Sequence, residues 1–183
     1  MQISGTKKLI RESFFKLLGV KKDIDDVTVS EIIKIAGTSR QTFYYHFQDI
    51  YDLLTWIIEI GFEELINGMA GKDICRHEIE SLFSYLDEYK VLIYKCLQSS
   101  RRDFIEETIE QNITKYLANY YAICGLGKNL SAEDLDFANE FYSRAVTSMC
   151  IKYVSGKYSK ISTPALIDKV ERLVAREMLC LKQ

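Results

Sequence analysis

Between positions 39 and 46 the chain sets out Ser39, Arg40, Gln41, Thr42, Tyr44, Tyr45 and His46 around a single phenylalanine, and none of these residues is acidic. Their forked, planar or hydroxyl-tipped side chains suit phosphate oxygens and base edges. If Phe43 and Phe47 face inward one helical turn apart, the polar side chains occupy the remaining faces of the same helix. Any surface helix carries one apolar stripe and polar residues elsewhere, but such a helix usually mixes both charge signs. A surface that meets phosphates must exclude carboxylates, and this one does.

Catalytic chemistry finds little to use here. His46 and His77 are the only histidines, and the pairs Glu63–Glu64 and Glu106–Glu107 fall on adjacent helix faces, where they form no obvious acid–base couple. There is no glycine-rich phosphate loop and no nucleophile elbow. Cys75, Cys96, Cys124, Cys150 and Cys180 are widely spaced and odd in number, with neither a CxxC pair nor a zinc spacing to either histidine. They read as small buried hydrophobes in a reducing compartment. The expectation is a protein that is not an enzyme and needs no metal or cofactor.

The elements that must present positions 39–46 are short. Thr28 can cap a helix whose third residue, Glu31, completes a capping box, with Ile32, Ile35 and Ala36 at helical spacing. Gly37 breaks that helix and can supply a left-handed turn, and Ser39 caps the next one. Two short helices around a glycine turn make a helix-turn-helix, which occurs both as plain structure and as a device for entering the major groove.

The string T-V-S-E-I-I-K-I-A-G-T-S-R-Q-T-F-Y-Y-H-F-Q-D-I-Y-D-L-L resembles the N-terminal region of the TetR family of bacterial transcriptional regulators. The likeness runs from about Lys8 to Trp56 and rests on the Ala-Gly pair, the Thr-Phe-Tyr run, the aromatic at Phe47 and the Asp-Leu-Leu that follows. The stretch R-Q-T-F-Y-Y-H-F-Q-D-I-Y-D-L-L-T-W-I is also similar to the branch of activators of dihydroxyacetone kinase operons. The resemblance implies an all-α protein: a three-helix DNA-binding head over residues 1–50, and a helical effector-binding and dimerisation body over residues 51–183. It implies Arg40, Gln41 and Tyr44 as base or groove-edge contacts, and Thr28, Ser39, Thr42, Tyr45 and His46 as phosphate contacts. One departure stands out. The family commonly places a lysine near the start of the fourth helix, whereas this chain has Ile50 preceded by Asp49. That should remove one phosphate contact and part of the salt-dependent affinity.

Composition agrees with a local nucleic-acid surface. The 183 residues carry a net charge of −2, with 48% apolar residues, ample for a core. From Met1 to Gln48 eight basic side chains face five acidic ones, a balance of +3 that leaves −5 for the rest. No uncharged apolar run is long enough to span a bilayer, and no signal-peptide core follows the N-terminal charges. A cytoplasmic protein without membrane association is expected.

One proline, few glycines and the absence of alternating strand patterns predict helices throughout. The first spans about residues 4–19, with Leu9, Ile10, Phe14, Leu17 and Leu18 as its buried stripe. A fourth, over about 49–69, links head to body through Leu53, Leu54, Ile57 and Ile58. Breaks are expected at 68–73, 125–129 and 156–163, with Ser131 capping one late helix and Pro164 in the first turn of the last. The last two helices carry broad apolar bands, including Phe141, Tyr142, Val146 and Met149 in one and Val170, Leu173, Val174, Met178 and Leu181 in the other.

In the resembling family the corresponding helices form a homodimer interface, which sets two heads about 34–36 Å apart on a near-palindromic operator. A ligand pocket among the middle helices would draw on the body's many aromatics, and Phe83, Tyr94, Tyr116, Tyr120 and Phe141 are the candidates. The effector expected is a small molecule or a partner protein. A competing reading is a dimeric helical adaptor that keeps the head fold yet binds a protein or metabolite in preference to DNA. Ile50 and the mild head charge keep that reading open.

Overall fold

The computed structural model describes residues 5–69, 75–125, 128 and 130–181, with side chains in the last helix placed as far as Val174. Among the described residues there are nine helices and no strand. The first, α1 (Gly5–Val20), buries Ile10, Phe14, Leu17 and Leu18 along one face. Leu9, expected in that stripe, is exposed, because the stripe is one residue wide at that level and Ile10 fills it.

The helix α2 (Val29–Ala36) starts where Thr28 accepts the Glu31 amide and the Glu31 carboxylate accepts the Thr28 amide in return. Lys21, 2.6 Å from Glu31, and the Thr28 hydroxyl hold that carboxyl below its ordinary range. Gly37 ends the helix at φ 63, a left-handed position that a side chain would strain. Ile32 is fully buried, whereas Ile35, read as part of the same inward set, lies on the exposed side. The next helix, α3 (Arg40–His46), is capped by Ser39, whose hydroxyl accepts the Thr42 amide at 3.0 Å.

From the head, α4 (Ile50–Gly68) carries Leu53, Leu54, Ile57, Ile58 and Phe62 into one continuous core. The body follows with α5 (Cys75–Glu88), α6 (Lys90–Gln98), α7 (Arg102–Cys124), α8 (Ala132–Val154) and α9 (Thr163–Leu181). Here α7 packs against α4, α6 and α8, while α5 pairs with α9. Arg76 stitches α5 to α9, reaching Asp168 at 3.0 Å and Glu171 at 2.7 Å. Gly125 closes α7 in a left-handed conformation, and Ser131 caps α8. The expected breaks at 68–73 and 125–129 fall partly outside the described residues, as do the side chains of Cys75, Met178, Cys180 and Leu181. Cys96 and Cys150 are buried, and burial pushes both thiols up to about 12, so neither is a ready thiolate.

Head and body meet through two polar ties. Lys95 on α6 donates to the carbonyls of Leu18, at 2.6 Å, and Lys21, neutralising the negative end of α1. Asp25, in the loop after α1, accepts the Tyr51 hydroxyl and the Ser100 amide, the latter at 3.0 Å, while Arg101 lies over the Tyr51 ring. The Tyr51 hydroxyl is the main cause that holds the Asp25 carboxyl below its ordinary range, with the Ser100 amide next.

Two expectations follow from these contacts. A methyl on Gly61 would stand 2.2 Å from the buried Tyr85 ring, which is itself packed between Phe62 and Tyr89. Gly61→Ala gains about 1 kcal/mol of helix propensity but overpacks the core by about 1–3 kcal/mol, so urea denaturation should show a net loss. A variant more stable than the parent would mean that Tyr85 is free to move aside. Because Asp25 is held charged in the folded state, its contribution is present above the ordinary carboxylate pKa of about 3.9 and fades as pH falls through the lowered folded value. The melting-temperature gap between the parent and Asp25→Asn should therefore be open at pH 7 and narrow below about pH 4; a gap independent of pH would remove the charge from the account.

Candidate nucleic-acid interface

The surface of α3 is set by what anchors it from beneath. Phe43 is fully buried and Phe47 nearly so, their rings 5.8 Å apart, and Phe47 packs in turn, tilted, against Trp56 of α4 with centroids 5.3 Å apart. The Lys7 ammonium sits 5.0 Å from the Phe47 ring and 4.9 Å from that of Trp56, bringing a positive charge from α1 to the same corner. With Phe43 inward, Ser39, Arg40, Gln41, Tyr44 and Tyr45 are exposed together, and Thr42 and His46 stand half-buried at the margin. Their mutual order is partly fixed. Arg40 donates to the Ser30 hydroxyl of α2 at 2.7 Å, Ser39 and Thr42 share a hydroxyl hydrogen bond of 2.8 Å, and Tyr45 lies edge-on to His46 at 4.9 Å. Thr28 is exposed at the start of α2, with its hydroxyl donating to Glu31 at 2.8 Å.

The outward face of α3 can present hydrogen-bond donors and aromatic edges to a polyanion without a carboxylate of its own, whereas Thr28 stands beside the Glu31 carboxylate. Sequence reasoning missed Ser30, which holds Arg40 from ten positions away, and it gave no signal because the two residues share no periodic element. It also missed how α4 begins. Asp49 accepts the Asp52 amide and Asp52 accepts the Gln48 amide, each at 2.8 Å, so this N-terminus is closed by the chain's own carboxylates. Asp at the cap with Asp three residues on was the readable signal.

In the body, Phe83, Tyr116 and Tyr120 come together around a cleft of about 70 Å³ between α5, α7, α8 and α9. The other two residues expected there do not join them. Tyr94 is 45% exposed on the side of α6 opposite Leu92, Ile93, Cys96 and Leu97, and Phe141 is 58% exposed because α8 turns Ser143, Thr147 and Cys150 inward instead. A residue not anticipated, Glu78, lines the cleft.

Comparison with known proteins agrees with both halves of this geometry. Residues 18–55 match the model described as bacterial regulatory proteins, tetR family, and residues 76–175 match that of a transcriptional regulator C-terminal region of the same kind. The HTH-type dhaKLM operon transcriptional activator DhaS of Lactococcus lactis subsp. lactis (strain IL1403) is 37% identical over 90 residues, 49% of this chain. The matched part spans about half, 48%, of that relative's length. A solved structure, the dihydroxyacetone kinase operon activator DhaS, superposes with a TM-score of 0.70 over 97% of this chain and 98% of its own, at 23% identity, which speaks to the fold. The body match alone takes in more than half of the sequence, and with the head match it establishes that the chain belongs to the tetR family of bacterial regulatory proteins, which are transcriptional regulators.

Proposed function

We propose that this regulator binds a near-palindromic double-stranded operator as a cytoplasmic homodimer, with the head ending near residue 50 and the body over 51–183 tuning its affinity. The observation that carries the reading is the acid-free outward face of α3, on which Arg40 is already held against Ser30. Arg40, Gln41 and Tyr44 read bases, with Arg40 suited to the N7 and O6 of a guanine. Thr28, Ser39, Thr42, Tyr45 and His46 hold phosphates and fix the register. Phe137 and Phe141 on α8 and Leu173 on α9 are exposed, and a second copy laid across these two helices would cover them. Phe83, Tyr116 and Tyr120 form the effector site, and a ligand there shifts operator affinity by its differential binding to two head spacings.

The Lactococcus lactis relative is by name an activator of a dhaKLM operon, and activation is the sense of control to test first here. The adaptor reading is favoured by one observation, the closure of the α4 N-terminus by Asp49 and Asp52, which withholds a phosphate site from the head.

Fluorescence anisotropy against DNA flanking the gene, against scrambled DNA and at two salt concentrations, separates the two. The regulator binds tightly, selectively and with salt dependence, whereas the adaptor shows no selectivity even at low salt. Arg40→Ala should cost about 1–3 kcal/mol at one base position and relax preference there; unchanged operator binding would displace α3 as the reading helix. Thr42→Ala leaves the Ser39 cap in place, since that cap takes the backbone amide. It should weaken all sequences alike, and a loss confined to one sequence would move Thr42 from phosphate to base contact.

A further inference from the structure

Glu78 sits in the first turn of α5, is only 3% exposed, and lines the cleft between α5, α7, α8 and α9. The Tyr116 hydroxyl lies 3.2 Å from both Oε2 and the backbone carbonyl of Glu78 and donates toward each. Oε1 is buried without any hydrogen-bond partner. The cation nearest in sequence, Arg76, is already engaged by Glu80, Asp168 and Glu171 on the outer surface. The amides of the α5 N-terminus supply no donor to Oε1 either. A buried carboxylate with an idle oxygen is the partner that a cation lacks.

The rest of the wall narrows the ligand. Beyond Glu78 the cleft is made of Leu82, Phe83, Tyr116, Tyr120, Met149 and aliphatic neighbours, so its accessible wall is almost wholly apolar and Glu78, its Oε1 covered, is the one acidic residue along it. A polyol or sugar, which carries several hydroxyls, would leave most of them unsatisfied there. An anion would meet the carboxylate. At about 70 Å³ the enclosed space takes a cationic head and a few carbons, with a longer tail leaving by the open mouth.

We propose that this cleft binds a small hydrophobic amine, its ammonium paired with Glu78 and its carbon chain laid against Phe83, Tyr116 and Tyr120. The assignment rests on the reading of these aromatics as the effector site and names the chemistry of that effector.

Hexylammonium, hexanol and hexanoate share one carbon chain and differ in the charge of the head, which makes them the probes to titrate into the full-length protein by calorimetry. Hexylammonium should bind, the other two at least about tenfold more weakly, and Glu78→Gln should erase the difference. Equal binding of all three, or an amine preference that survives Glu78→Gln, would overturn the proposal. If the variant does not fold, amide and side-chain NMR of the parent decides: shifts at Glu78, Leu82 and Tyr116 with hexylammonium support the site, and shifts elsewhere alone overturn it. Operator binding measured on the same samples keeps the two readings apart, because a protein that takes the amine but ignores its operator contradicts the regulator and leaves the cleft assignment standing.

Discussion

A helix of seven residues has no stability of its own in water, so α3 exists only because something holds it. Complete burial of Phe43, backed by Phe47 on Trp56, supplies that hold and at the same time fixes the rotation of the helix about its axis. Everything proposed for the outer surface depends on that rotation. A turn of one residue position, 100° on an ideal helix, would swing Phe43 toward water and put Thr42 or Tyr44 inward in its place. Ser39 and Gly37 then set where α3 begins and at what angle it leaves α2, one through its hydroxyl and the other through its backbone.

The head is not a free appendage of this body. Lys95 completes the C-terminus of α1 from α6, and Asp25 is gripped between Tyr51 of α4 and the amide of Ser100 at the turn into α7. Both ties end within a few residues of each other on the body side, at the end of α6 and the turn after it. A displacement of α6 along α1 would forfeit the two carbonyl bonds of Lys95, so head orientation and α6 position are energetically linked. The cleft containing Glu78 lies on the far partners of α7, and α7 also packs on α6 and α4.

The sequence made the head more readable than the body, for a physical reason. Caps are local chemistry, and Thr28 with Glu31, Gly37, Ser39 and Ser131 all do in the structure what their types and spacing indicate. Buried faces are tertiary, and helical periodicity alone could not separate Leu9 from Ile10 or Ile35 from Ile32. The body inverted the usual rule: α8 buries a stripe of Ser143, Thr147 and Cys150 and leaves Phe137 and Phe141 outside, so choosing aromatics chose the wrong face for Phe141. Glu78 was invisible for a similar reason. An acid in the first turn of a helix looks like ordinary dipole compensation, and only its burial and idle oxygen distinguish it.

The start of α4 shows how a departure from a family pattern is absorbed. Where a lysine would meet a phosphate, Asp49 and Asp52 satisfy the local amides themselves, and Ile50 packs against the core instead of reaching outward. The Asp49 side chain satisfies the Asp52 amide, one of the donors that a helix N-terminus leaves unpaired. What changes lies at the surface, where two carboxylates would face the polyanion. In the proposed complex this shifts the balance of contacts, since each phosphate neutralised contributes close to one unit of salt dependence and the α4 terminus contributes none. Discrimination between sequences would then rest more heavily on the base-reading side chains of α3, and on how firmly Ser30 keeps Arg40 in place before the groove is met.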